Sequence, residues 1–405
     1  MDTSENRKHL KESFFICLSR MLERSSYYGI RSLIVLYMTS EILEMSNSEA
    51  ILIWGWLTGS VIFSQILGAL LGDLLIGNRR SVIIGSVLQA LGAFSLCIST
   101  TTGLYIGLSA LVLGTGFYTP NLISNFGKLY LDKTKLLDSG FTFFYLAVNI
   151  GSFLGILLIG YSGEIHGYHI GFIISGVLTL MAIIPVIFVK DVSLKKLNRN
   201  EQSISKRILT IAAAFIVVGL FWGIYEVSNI RVFDLQMKFR EMSLSIIPKH
   251  LWQSVNAIFV IPISLIAAIL WTYLYSSQSF KLMLGFILGV VSFGILLFIP
   301  EVPNNQHILV YLLSLFFLSV SEILIAPIVH SVLTKYANPK YLAILISLAF
   351  IPTRLMSLVF GLFNERFYDD PILALIFGII TMFLIGIGLL GYVFWNRKTV
   401  FDSSK

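Results

Sequence analysis

One apolar stretch of this sequence carries more charge than hydrocarbon tolerates: Arg20-Met21-Leu22-Glu23-Arg24-Ser25-Ser26-Tyr27-Tyr28-Gly29-Ile30-Arg31. A charged side chain at mid-membrane costs roughly 2.5–3.5 kcal/mol on insertion scales and marks a functional site by default. At about 100° per helical residue, Arg20, Arg24, Tyr27, Tyr28 and Arg31 gather on one side, with Glu23 at its edge. Such a stripe must face protein or a wet cavity. A guanidinium can grip a carboxylate through two parallel bonds, and a carboxylate can take up a proton, so anion recognition and proton handling are the chemistry on offer. A purely structural ion-pair network between helices is the alternative, but three arginines exceed what Glu23 alone neutralises. Other polar groups sit in apolar surroundings: Asn149, Glu226, Asn256, Glu322, His330 and Arg354. His330 lies about two turns beyond Glu322 on the same helix and titrates near neutral pH. It is a second candidate proton site, or simply a residue lining the passage.

The elements that must position these groups follow from composition. Of 405 residues, 56% are apolar and 13% charged, and mean hydropathy is +0.84. Soluble chains carry about 25% charged residues. The apolar runs match a hydrocarbon slab of about 30 Å spanned by helices and are too long and too unalternating for barrel strands. About twelve runs fall near 13–40, 50–74, 80–101, 103–128, 138–162, 168–190, 207–230, 248–276, 279–299, 308–335, 340–365 and 370–396. The expectation is an all-α membrane protein with 12 transmembrane helices in two six-helix bundles, 1–190 and 207–405, joined by the polar segment 191–206.

Charge sets the orientation. With both termini cytoplasmic, inside segments hold most of the 29 basic residues, among them Arg79, Arg80, Lys128, Lys195 and Lys196. Outside segments hold Arg231, Lys238, Arg240, Lys249 and Arg366. This is the positive-inside pattern. The net charge of +7 is a topology signal; scattered over short loops, it makes no stripe for nucleic acid. The polar N-terminus has no cleavage site before a short apolar core, so helix 1 is expected to be the insertion signal. Cys17 and Cys97 have no partner spacing, and neither metal nor cofactor is expected.

After helix 2 comes Gly72-Asp73-Leu74-Leu75-Ile76-Gly77-Asn78-Arg79-Arg80. It resembles the glycine–acid–glycine–base loop of major-facilitator transporters, in which substrate binds near the midplane and two halves rock about it. Asp73 can pair with a base or a helix end nearby and latch one conformation.

A narrower resemblance runs the length of the chain. Glu23-Arg24 through Tyr27-Tyr28-Gly29-Ile30-Arg31 resembles the helix 1 motif E-x-x-E-R-F-x-Y-Y-G-x-R of proton-dependent oligopeptide transporters, the POT family. Tyr118-Thr119-Pro120-Asn121 with Gly127-Lys128-Leu129-Tyr130 is similar to F-K-P-N…G-x-L-Y, and Phe144-Tyr145 with Asn149 and Gly151-Ser152 to F-Y-x-x-I-N-x-G-S. Phe221-Trp222 and Glu226 resemble F-W-x-x-x-E, Gln253-Ser254-Val255-Asn256 resembles Q-S-x-N, and Ser321-Glu322 with Pro327, Ser331, Thr334 and Lys335 resembles the helix 10 pattern. The two extra helices that many bacterial members insert between the halves are missing.

The resemblance implies a proton-coupled symporter of di- and tripeptides in a bacterial inner membrane, with peptide, protons and lipid as its partners. It implies that Arg31 and Glu226 pair at the outer gate and that protonating Glu226 frees Arg31 for a substrate carboxylate. Glu322 would take the peptide amino group, Asn149 and Asn256 the peptide backbone, and Tyr27 and Tyr28 the side chains. Helix–helix bonding is the other use of the two asparagines. Glu23 and Arg24 would belong to the coupling network.

Two positions depart from the pattern together. Arg20 stands where the first helix 1 glutamate is expected, and Thr119 where helix 4 should carry a lysine. A lone lost partner would strand a buried charge, so a paired change implies re-wiring, with Arg20 or Arg354 replacing the lysine as partner of Glu322 or Glu23. Arg354 could equally form a salt bridge with no part in transport. A surplus of arginine also admits a same-fold carrier of another small organic anion, with altered or absent proton coupling. A membrane enzyme needs clustered His, Asp or Cys at the membrane face, and a sensor needs an output domain; the sequence offers neither.

Overall fold

The computed structural model describes residues 8–189, 203–242, 252, 255–274, 276–352, 355 and 364–402. Among these the regular structure is helical throughout. We label the main helices α1 (Lys11–Thr39), α2 (Asn47–Ile76), α3 (Asn78–Ser95), α4 (Thr101–Leu129), α5 (Thr134–His166), α6 (Tyr168–Ile187), α7 (Ile204–Glu241), α8 (Ala257–Tyr273), α9 (Gln278–Leu296), α10 (His307–Tyr336), α11 (Pro339–Pro352) and α12 (Pro371–Asp402). A short helix, Asn364–Asp369, precedes α12. Eight of these are long and apolar enough to cross a membrane, while α8 and α11 are shorter apolar helices. The charges of α1 and the basic start of α3 set those two apart. The chain is an all-α integral membrane protein. The junction at 191–206 and Arg354 fall largely or wholly outside the described residues, as do Gln253 and Ser254.

The chain divides into two compact units. Unit 1 comprises Met1–Ile208 and His330–Phe350, and unit 2 comprises Leu209–Val329 and Ile351–Lys405.

Unit 1 is assembled around α1. Serines and threonines bind helix to helix, as lipid-embedded bundles require when apolar attraction between helices is weak. Ser26 Oγ lies 2.5 Å from Ser175 Oγ and accepts from Thr179 Oγ1 at 2.7 Å, tying α1 to α6. Ser19 Oγ meets the Tyr118 hydroxyl at 2.7 Å, tying α1 to α4. A Cβ at Gly151 would strike the Met21 carbonyl and Arg24 Cβ, so α5 lies directly on the charged turn of α1. One end of the unit is apolar, built on Leu33, Ile34, Tyr37, Met38, Leu104 and Phe172. Gly77 (φ +86°) alone turns α2 into α3, and Gly167 (φ +96°) alone turns α5 into α6. Left-handed backbone of this kind is open to glycine and strained for other residues.

In unit 2, α9 and α10 exchange serine bonds. Ser292 Oγ donates to the Ser314 carbonyl and Ser314 Oγ to the Ser292 carbonyl, each at 2.9 Å. Pro327, lacking an N–H, interrupts α10 between Ile325 and Ile328.

The expected end of α7 at 230 is corrected to Glu241. The reason is a charge cluster that sequence reading placed in an outside loop. Arg231 is 2% exposed. Its Nη1 binds Asp234 Oδ2 at 2.5 Å, and its Nη2 donates to the carbonyls of Ile299 and Pro300 at 3.0 and 3.1 Å. Those carbonyls lie past the end of α9, in the turn that Arg231 caps. Lys238 closes the i, i+4 pair with Asp234 at 2.9 Å. Arg231→Leu is expected to lower unfolding stability by about 1.5–3 kcal/mol, read as a fall in thermal midpoint in detergent. Lys238→Ala, at a more exposed end of the cluster, is expected to change it by less than about 1 kcal/mol. Equal midpoints for Arg231→Leu and the unaltered chain would refute the capping role.

Candidate functional site

The charged turn of α1 folds inward onto itself and its neighbours. Glu23 is fully buried. Arg24 grips it side-on, Nε to Oε2 at 2.7 Å and Nη2 to Oε1 at 2.5 Å. Arg20 Nη1 reaches Oε2 at 3.2 Å and donates at the same distance to Thr119 Oγ1 on α4. Of the partners open to Arg20 in the sequence, the structure therefore shows Glu23, with Thr119 as the acceptor that positions it. The Arg20 guanidinium also lies 5.5 Å from the Phe144 ring of α5, and that of Arg24 stands 4.5 Å over Tyr27.

Arg31 behaves differently. It is exposed and sits 5.9 Å from the Tyr28 ring and 5.6 Å from the Trp54 ring of α2. Within unit 1, among the described residues, it pairs with no carboxylate. Trp54 carries no sequence signal of its own; its place beside Arg31 comes from the packing of α2. Tyr27 and Tyr28 meet edge to face with centroids 5.4 Å apart. Ring faces attract the guanidinium without neutralising it, so Arg31 is held in place with its charge intact.

The two asparagines part company. Asn149 Nδ2 donates to the Tyr145 carbonyl of its own helix at 2.9 Å, which ties it to no other helix. Asn256, at the start of α8, accepts from Ser319 Oγ of α10 at 2.9 Å, a helix–helix bond of the kind the sequence allowed. In unit 2, Glu322 is 8% exposed, beside the Tyr225 hydroxyl of α7, which Asn229 also meets. Glu226, one residue on, is exposed on α7. His330, in unit 1, packs between Phe141 and Phe350 at ring distances of 5.7 and 6.2 Å.

Asp73 is the third charged centre. Its Oδ2 accepts the Ile344 N–H of α11 at 3.0 Å. Its Oδ1 takes Asn78 Nδ2 at 2.9 Å and lies 3.7 Å from Lys128 Nζ. Lys128 in turn donates to Asn78 Oδ1 at 2.6 Å, and Asn78 to Asn121 Oδ1 at 2.7 Å. Asp73 thus has both a base and a helix end. The base is Lys128 of α4 rather than the adjacent arginines; Arg79 instead caps α6 through the Ile187 carbonyl at 2.7 Å. Among the described residues no His, Cys, Asp or Glu group could hold a metal ion.

Residues 79–204 match the sequence profile of the POT family (PTR2). A peptide transporter, YePEPT, of Yersinia enterocolitica subsp. palearctica is 34% identical over 221 residues, covering 50% of this chain and 43% of that protein. The chain thus spans under half the length of that relative in the match. The uncharacterized transporter YclF of Bacillus subtilis is 26% identical over 94% of this chain and 93% of its own. Among solved structures, the peptide transporter POT in complex with sulfate superposes with a TM-score of 0.65 at 21% identity, covering 95% of this chain and 94% of the other. A POT family transporter in complex with a thioalcohol-conjugated peptide gives 0.67 at 19%, covering 95% and 96%. At these identities the likeness is one of fold, the major-facilitator fold.

Replacing Gly151 should break the charged turn of α1. Gly151→Leu drives side-chain atoms into the Met21 carbonyl and Arg24, and is expected to abolish the monodisperse peak in size-exclusion chromatography. Gly151→Ala should reduce its yield. A full-yield, fully stable Gly151→Leu protein would contradict the close approach of α1 and α5.

Proposed function

We propose that the chain is a member of the POT family and a proton-coupled symporter of di- and tripeptides working by alternating access. The observation that carries this reading is Arg31: an exposed guanidinium beside Tyr28 and Trp54, paired with no carboxylate among the described residues of its own unit. That is the arrangement a peptide carboxylate requires, since a guanidinium already neutralised would have to be released first. Glu322, buried beside Tyr225, is the acid for the peptide amino group. Asn149, whose side-chain oxygen remains available after its amide binds Tyr145, serves the peptide backbone. Asn256 would do so by way of its bond to Ser319. Tyr27 and Tyr28 supply surface to peptide side chains.

Glu226 is the proton carrier in this reading. An exposed carboxylate on a membrane-spanning helix must meet water or protein, and neutralising it removes a negative charge that competes with substrate for guanidinium. The Asp73–Lys128–Ile344 contact is the latch that holds one conformation of unit 1. The protein would lie in a bacterial inner membrane with both termini cytoplasmic.

Uptake of dialanine into proteoliposomes, with pH gradient and membrane potential varied separately, tests the whole. Uptake is expected to rise with an inward proton gradient, and Glu226→Gln to lose that stimulation. Equal uptake with and without either gradient would sink the symport reading; competition by a free organic anion but not by dialanine would sink the peptide. Arg31→Lys, which keeps the charge but loses the bidentate fork, is expected to raise KM by about tenfold, or about 1.4 kcal/mol, with folded yield unaltered.

A further inference from the structure

Glu23 sits in a closed cluster of charge on α1. Its side chain is sealed, with none of its surface exposed. Two guanidiniums supply three N–H donors to its two oxygens: Arg24 through Nε and Nη2, and Arg20 through Nη1. Neither arginine has another carboxylate among the described residues. Arg20 is itself fixed, by its bond to Thr119 Oγ1 on α4 and by the Phe144 ring of α5.

Among the described residues of unit 1, the groups around this carboxylate on other elements add no acid to share a proton with it. From α3 the neighbour is the Gln89 amide. From α4 come the Tyr118 hydroxyl, already bonded to Ser19, and Thr119. From α6, Ser175 and Thr179 bind Ser26. From the second part of α10, His330 stands near Arg20 and adds no negative charge. With Glu23 ionised, the cluster holds two positive charges and one negative. With Glu23 protonated, two buried guanidiniums would face a neutral acid, and a stranded buried charge is strongly unfavourable.

We propose that Arg20 and Arg24 keep Glu23 a carboxylate through the whole transport cycle, so that the charged turn of α1 carries no transported proton. The coupling proton then rides on groups outside this cluster. Arg20 is the positioning residue responsible. An acid at that position would share Arg24 with Glu23 and give the pair one exchangeable proton; a guanidinium there removes it. This inference rests on the symport reading for its meaning in transport, but its test does not.

The test is infrared difference spectroscopy of the purified full chain in lipid, titrated between about pH 8 and pH 5, where shifted carboxyl groups change charge. The readout is the carbonyl stretch of a protonated carboxyl group. Glu23→Gln is expected to leave the titrating bands of the unaltered chain unchanged, while Arg20→Lys, which keeps the positive charge, should match them too. Arg20→Glu should add a titrating band that Arg20→Glu/Glu23→Gln loses again. A band in the unaltered chain that disappears in Glu23→Gln would overturn the proposal. If Glu23→Gln does not fold, Arg20→Glu decides alone: an added band supports the clamp, and an unchanged spectrum overturns it. Uptake indifferent to any proton gradient would remove the symport reading while leaving this spectrum as expected.

Discussion

A carboxylate sealed from water and lipid has to bring its counter-charge with it, and the arrangement of unit 1 follows from meeting that demand at Glu23. Arg24 supplies a near-ideal two-point grip from the next residue of the same helix. Arg20 supplies the second cation one turn away, and its remaining bonding capacity is directed to α4 through Thr119. The electrostatics of one helical turn therefore dictate which helices approach α1. Helix α5 comes close because Gly151 leaves room for the Arg24 stem. Helix α6 comes close through the Ser26, Ser175 and Thr179 hydroxyls. The same constraint separates two kinds of arginine on one face: Arg20 and Arg24 are spent on Glu23, while Arg31 keeps its charge for use.

A second solution to the same problem operates at Asp73. Here the counter-charge is shared among an ammonium group, a side-chain amide and the N–H of an incoming helix. None of these is a bidentate clamp. A carboxylate shared among weaker partners gives up any one of them at lower cost than Glu23 gives up a guanidinium. Permanent structure and reversible attachment are thus distinguished by how the compensating charge is distributed.

Part of this was legible in the sequence. The stripe on α1 was visible because charge in an apolar run has few explanations, and Arg20 and Thr119 stood out as two departures from one pattern. The structure places those two side chains in direct contact. Most helix limits followed from hydropathy. What stayed hidden depended on distance along the chain. Lys128 as the base for Asp73 could not be read from a loop that already offers Arg79 and Arg80, because the choice is made by where α4 lands. The length of α7 was hidden because Arg231 and Lys238 look like loop residues until the carbonyls after α9 are found beside Arg231. The split roles of Asn149 and Asn256 depended on whether a hydroxyl from another helix was within reach. The junction at 191–206 and Arg354 fall where the structure offers no comparison.

The one-residue turns at Gly77 and Gly167 have a mechanical consequence. A loop of several residues absorbs displacement by rotating its own bonds. A single left-handed glycine between two helices has almost no slack, so α2 with α3, and α5 with α6, each behave as a stiff bracket. Gly77 lies only four positions beyond Asp73, so a pull on that carboxylate is delivered to two helices at once, not dissipated in the connection between them. Each bracket ties the tilt of one helix to that of its neighbour across the glycine.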